Sequence, residues 1–115
     1  MLKKQNRLST KYEFARTKRF GTKYNAAFFY LYCLAPPKYT GPTRLGFVST
    51  ANFDKSAVKR NRAKRVLREV FRINFGRIKS GYWAAVYPKP AIKDVKYEDV
   101  NTDFNKVLSR LPFAK

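Results

Sequence analysis

The residues of this chain best suited to chemistry are bases with one amide among them, and they are clustered. Arg60, Asn61, Arg62, Lys64, Arg65, Arg68 and Arg72 all fall in one short stretch. Their chemistry is anion binding: a guanidinium offers a fork of donors to phosphate oxygens, and an ammonium offers a point charge. Bond-breaking chemistry has few candidates. The chain has no histidine, a single cysteine (Cys33) and seven carboxylates. Without histidine or a second cysteine there is no zinc site and no Ser–His or Cys–His nucleophile. No glycine-rich phosphate loop is present. A two-metal nuclease needs clustered carboxylates, and Asp54 and Glu69 make a poor pair. Glu98, Asp99 and Asp103 gather near the start of a C-terminal helix, where acids suit the helix dipole. No residue is assigned a catalytic or metal-binding role, so the chain is expected to act by binding.

The charge balance says what it binds. There are 26 lysines and arginines against 7 acids, a net charge of +19. Residues 1–93 hold 22 of the bases and 3 of the acids, whereas residues 94–115 hold 4 of each. The body of the chain is therefore the polyanion-binding part. An anionic membrane is the rival to nucleic acid. The aromatic content of 17% favours nucleic acid, because Tyr and Phe rings stack on bases. No apolar run approaches the roughly 18 residues of a membrane span. The N-terminus has no apolar core of a secretory signal. Cys33 sits in an apolar run and reads as a buried thiol. These features point to the cytoplasm and to no membrane partner.

The elements that must position the bases follow from periodicity. Residues 57–75 read as one helix, with Ser56 as N-cap and Gly76 as C-terminal stop. At 100° per residue Ala63, Val66, Leu67, Val70, Phe71 and Ile73 fall in one arc. Asn61, Arg62, Lys64, Arg65, Arg68 and Arg72 fall opposite, with Glu69 the only acid among them. That face cannot neutralise itself through i,i+4 pairs. Thr10 and Glu13 form a capping box before a helix over 11–19, which Gly21 can end in the left-handed conformation. Residues 24–34 read as one strand. It turns Phe29, Leu31 and Cys33 to one face and Phe28, Tyr30, Tyr32 and Leu34 to a partly wet second face. Residues 44–50 read as a strand antiparallel to the first, 81–88 as a third, and 97–111 as a last helix. The chain is thus one α+β domain with a small sheet, preceded by a loose basic tail over 1–8.

The stretch Arg60-Asn61-Arg62, followed by Lys64-Arg65, Leu67-Arg68-Glu69 and Phe71, resembles the RNR signature of the bacterial ribonuclease P protein component. The flanks agree in order: Asn6-Arg7-Leu8 with Glu13-Phe14, then Arg44-Leu45-Gly46-Phe47, then Gly81-Tyr82-Trp83 with Ala84-Ala85-Val86, and Pro90-Ala91. The resemblance covers nearly the whole chain. It implies an α-β-β-β-α-β-α order with a four-stranded mixed sheet and a left-handed crossover at the RNR helix. It also implies a subunit that joins a catalytic RNA, which uses Mg²⁺ to remove the 5′ leader of precursor tRNA, with no obligate protein partner. It places Arg60, Asn61, Arg62, Lys64, Arg65 and Arg68 on the catalytic RNA, and Arg72 shares their face. It places a leader cleft between the first helix and the sheet, with Phe14, Lys18, Tyr32 and Thr50 at its wall.

The chain departs from the family pattern in two places. Lys18 stands where a second aromatic is usual, and Phe20 is two positions away. The segment from Ser49 to Lys55 is one residue longer than usual and lacks the lysine pair and glycine. Phe29, Phe47, Phe71 and Phe104 are assigned to the core, whereas Phe14 and Tyr32 are open between core and cleft. The alternative function is a structural or ribosomal-type RNA-binding protein, which composition alone does not separate from the first.

Overall fold

The computed structural model describes residues 3–50 and 53–115. Positions 1–2 of the expected tail and positions 51–52 of the atypical segment lie outside the described residues. The elements in chain order are α1 (Lys11–Phe20), β1 (Thr22–Asn25), β2 (Phe29–Leu34), β3 (Arg44–Phe47), α2 (Ala57–Ile73), β4 (Trp83–Pro88) and α3 (Tyr97–Leu108). The strands form one mixed sheet in the order β1-β2-β4-β3. β1 and β2 are antiparallel, as are β2 and β4, while β3 and β4 are parallel. β4 therefore inserts between β2 and β3, and α2 makes the long connection that a parallel pair requires.

The expected single strand over 24–34 is two strands and a three-residue turn. No Gly or Asn-Gly marks the break, because the turn is held from elsewhere. Asp103 on α3 accepts from the backbone N–H of Ala27 (3.0 Å) and Phe28 (2.9 Å). Lys89 Nζ donates to the Ala26 carbonyl at 2.6 Å. Asp103 is thus a buried clamp, not a helix-dipole acid; Glu98 and Asp99 do occupy the first turn of α3.

The two sheet faces differ as the alternation in β2 predicts. Phe29, Leu31 and Cys33 face α2 and α3, together with Leu45, Ala84 and Val86. Phe71 of α2 stands at the centre, with its ring edge-on to Phe29 (5.9 Å), Phe47 (5.5 Å) and Phe104 (4.8 Å). Cys33 is buried there, and burial pushes its thiol up to about 12.

Several boundaries differ from expectation. α2 stops at Ile73, and Asn74 serves as its C-cap while Gly76 lies in a following 3-10 turn. Asn74 falls in the apolar arc and is buried. Its Nδ2 donates to the Val70 carbonyl (2.7 Å) and to Asn101 Oδ1 (2.9 Å). Ile73, at the edge of that arc, is 55% exposed. α3 ends at Leu108, short of residue 111. Gly21 has an extended backbone (φ −79°), not a left-handed one. It is needed for close approach, since a Cβ there would stand 2.4 Å from the Thr17 carbonyl oxygen. The tail is not loose over its described part. Residues 4–6 form a 3-10 turn, Asn6 and Leu8 are buried, and Leu8 N donates to the Leu45 carbonyl at 2.9 Å.

Candidate nucleic-acid interface

α2 builds the first surface. Asp54 accepts from Ser56 N at 2.8 Å, and Ser56 Oγ accepts from Lys59 N at 3.4 Å. The backbone hydrogen bond from Ser56, followed by the nearby Lys93, holds the Asp54 carboxyl below the usual carboxylate range. The helix then presents its basic arc away from the core. The seven residues named from sequence do not all present themselves in the same way. Arg60 Nη1 donates to the carbonyls of Asp54 and Lys55, both at 2.9 Å. Arg62 Nη2 donates to the Val95 carbonyl at 2.8 Å, tying α2 to the start of α3. Arg72 pairs with Glu69 at 2.5 Å on an exposed turn, a contact that contributes little to stability in water. Arg68 lies over the ring of Phe47 at 6.0 Å. Asn61, Lys64 and Arg65 make no side-chain hydrogen bond or ion pair among the described residues, and Asn61 and Arg65 are exposed. The open donors of the arc are therefore centred on Asn61, Lys64, Arg65 and Arg68. The role of Arg60 and Arg62 in closing the helix N-terminus on the fold was missed in the sequence, because backbone carbonyls have no sequence signature.

The second surface lies on the other face of the sheet, beside α1. The capping box is present: Thr10 Oγ1 accepts from Glu13 N and Glu13 accepts from Thr10 N, each at 3.1 Å. Glu13 is buried, and it pairs with Arg44 of β3 at 2.7 Å. Burial alone would raise its carboxyl. The hydrogen bonds from Ser9, Arg44 and Thr10 outweigh that and hold it below its ordinary value. Thr17 is fully buried, with its hydroxyl on the Glu13 carbonyl at 2.7 Å. The Glu13–Arg44 pair ties α1 to β3, and the helix also packs on β2 and β4.

Cross-strand registers place the cleft residues. Lys23, Tyr32, Ala85 and Gly46 form one row across the sheet. The ring of Phe14 fills the space over Gly46, so Tyr32 stands two strands away, at about 10 Å. Phe14 is half-buried, and Lys18 follows one turn later, exposed on the same side of the helix. Phe14 thus belongs to both candidate roles: one edge packs on the sheet and the rest borders the cleft.

The adjacent row carries Tyr30 and Tyr87, whose rings stack at 5.0 Å with 9° between planes. Tyr32 is edge-on to both, at 6.2 and 5.9 Å. Lys23 Nζ lies over the Tyr30 ring at 4.6 Å. Burial first, and the neighbouring tyrosines second, push the Tyr30 and Tyr87 hydroxyls up. Beyond them is a groove of about 180 Å³, lined by Tyr30, Val48, Thr50, Tyr87 and Pro88 among others. The structure therefore brings Tyr32 and Thr50 to one aromatic floor, with Phe14 and Lys18 on the wall above it. Lys23, Tyr30 and Tyr87 join them without having been singled out. The available signal was tyrosine at alternate positions of two strands, Tyr30 and Tyr32 on one and Tyr87 on the other.

No group of three or more His, Cys, Asp or Glu side chains that could hold a metal ion occurs among the described residues. No helix among them is long and apolar enough to cross a membrane.

The chain is similar to known proteins over nearly its whole length. The Ribonuclease P family model matches residues 2–112. The ribonuclease P protein component of Pseudanabaena sp. is 32% identical over 110 residues, which cover 96% of this chain and 94% of that protein. The ribonuclease P protein of Thermotoga maritima superposes with a TM-score of 0.77 at 27% identity, over 91% of this chain and 96% of that one. The Staphylococcus aureus protein has the same fold, with a TM-score of 0.82 at 22% identity over 97% of this chain and 100% of that one. By sequence along nearly its full length and by fold, the chain belongs to the ribonuclease P protein family, as a subunit of the tRNA-processing endoribonuclease.

Proposed function

We propose that the protein holds the catalytic RNA on the basic face of α2 and the 5′ leader of precursor tRNA in the cleft beside α1. One observation carries this reading: two surfaces suited to RNA lie on opposite faces of a single four-stranded sheet. One is an arc of open bases, fit for folded phosphate backbone. The other is an aromatic floor under a basic wall, fit for unpaired nucleotides. A rigid sheet between them fixes the leader relative to the RNA that cuts next to it.

Asn61, Lys64, Arg65 and Arg68 make the phosphate contacts of the first surface. Each phosphate neutralised lowers the slope of log affinity against log salt by about 0.7–0.9. In the cleft, Tyr32 and the Tyr30–Tyr87 pair stack on leader bases, Phe14 bounds them, and Lys18 and Thr50 meet phosphate or sugar. Bond cleavage belongs to the RNA subunit and its Mg²⁺, because the carboxylates of this chain are dispersed. Glu13 and Asp103 are occupied in holding the fold. The positive protein reduces repulsion between two polyanions, so the reaction should need less Mg²⁺. The same reading places the protein in the cytoplasm with its RNA partners. The test is processing of precursor tRNA by the catalytic RNA at low Mg²⁺, with and without this protein. Strong stimulation is expected; none would refute the proposal.

A further inference from the structure

α1 carries a second feature that the cleft does not use. On a helix turning 100° per residue, Phe14 and Lys18 fall on one side of buried Thr17, and Arg16, Phe20 and Tyr12 fall on the other. Tyr12 is 64% exposed and Phe20 55% exposed. Arg16 sits between them, with Cζ 5.6 Å from the Tyr12 ring centre and 4.9 Å from that of Phe20. Arg19 lies over Phe20 at 5.3 Å. The result is an ordered ladder of ring, guanidinium and ring at i, i+4 and i+8 on the flank turned away from the cleft.

Charge and chemistry restrict what can lie on this flank. Across residues 3–50 the only acid is Glu13, and it is buried against Arg44. Arg16 makes no hydrogen bond or ion pair among the described residues, so the stacked guanidinium keeps its donors for another group. Exposed rings beside open arginines fit a strand with both phosphates and free base faces. An unpaired nucleic-acid strand offers both, whereas duplex bases are covered by their neighbours. The ridge between the flanks is low. Ala15 is exposed there, with Lys18 and Arg19 beside it. α1 is about 10–12 Å across with its side chains, a distance a few extended nucleotides cover.

We propose that Tyr12, Arg16 and Phe20 form a distal strip for the precursor's 5′ leader, taken up by nucleotides that have left the cleft and crossed α1. This rests on the assignment of the cleft to the leader. It also gives Phe20 a place: the aromatic absent at position 18 is not a lost cleft contact moved slightly, but part of a separate surface.

The test is equilibrium binding of the reconstituted holoenzyme to two precursor tRNAs, one with a leader that ends inside the cleft and one with a leader long enough to cross α1. The Tyr12→Ala/Phe20→Ala variant should bind the long-leader precursor about tenfold more weakly. It should bind the short-leader precursor, and the catalytic RNA, as the unaltered protein does. Phe14→Ala serves as the reference and should weaken binding of both precursors. If Phe14→Ala changes neither, the cleft assignment fails and this inference fails with it. If Phe14→Ala weakens both but the double variant binds both normally, the distal strip alone is overturned. Equal losses of the double variant on both leaders, or a loss on the catalytic RNA, overturn it too and assign the flank to another RNA contact. Both altered side chains are solvent-exposed, so an unchanged melting temperature should accompany the expected result.

Discussion

The ring of Phe14 occupies the space that a side chain at position 46 would need. A Cβ on Gly46 would stand 2.3 Å from Phe14 Cζ and 3.0 Å from Leu8 Cβ. Gly46→Ala should therefore displace Phe14 without removing it. Overpacking of this kind costs about 1–3 kcal/mol. The melting temperature should fall by a matching amount. Affinity for leader-bearing precursor should fall further than affinity for mature tRNA, and affinity for the catalytic RNA should not change. Binding assays on the three RNAs check this.

Arg65 and Arg62 should separate binding from stability. Arg65→Ala removes an open guanidinium and should weaken catalytic-RNA binding by about 1.5–3 kcal/mol, with no change in melting temperature. Arg62→Ala removes the hydrogen bond to the Val95 carbonyl, so it should lower the melting temperature. Thermal melts of the free protein, set beside titrations of the RNA, give both numbers.

Glu13 should give the fold an acid limit. Its folded-state carboxyl lies below the ordinary value of 4.5, so its contribution is complete above pH 4.5 and is lost as the pH falls through the lower folded-state value. Glu13→Gln should cost about 1.5–3 kcal/mol at neutral pH. Melting curves of both proteins against pH should converge as the pH drops below 4.5.

Asp103 should matter more than a helix-surface acid. Asp103→Asn turns one acceptor into a donor facing the backbone N–H groups of Ala27 and Phe28. A loss of about 1.5–3 kcal/mol is expected, with hydrogen exchange quickening first at the β1–β2 turn. Unchanged stability would remove the clamp role.

These residues also mark how far the sequence could be read. α2 was legible because its apolar period is 3.6 and because Lys64, Arg65 and Arg68 have no acids to neutralise them. Its basic arc needed no tertiary information. The break between β1 and β2 was not legible, since residues 24–34 are almost all apolar or aromatic with no Gly or Pro among them, and the turn is set by Asp103, far along the chain. The parallel pairing of β3 with β4 across a whole helix was legible only through the family resemblance, which implied a mixed sheet with a crossover at α2. The cleft was visible only through the family resemblance, which named Phe14 and Tyr32. The stack of Tyr30 on Tyr87 needed the register that sets two strands side by side. Gly21 and Gly46 were legible as glycines but not for their reason, which is the approach of other atoms.

The central claim is that the two faces of the sheet hold different RNAs, and one measurement addresses it directly. The ratio of holoenzyme affinities for leader-bearing precursor and mature tRNA should be measured with the unaltered protein, with Phe14→Ala and with Arg65→Ala at the same saturating concentration of protein. The unaltered protein should favour the precursor. Phe14→Ala should bring the ratio towards one, and Arg65→Ala, once bound to its RNA, should leave it unchanged. A ratio near one for the unaltered protein, or an equal fall for both variants, would contradict the separation of the two surfaces.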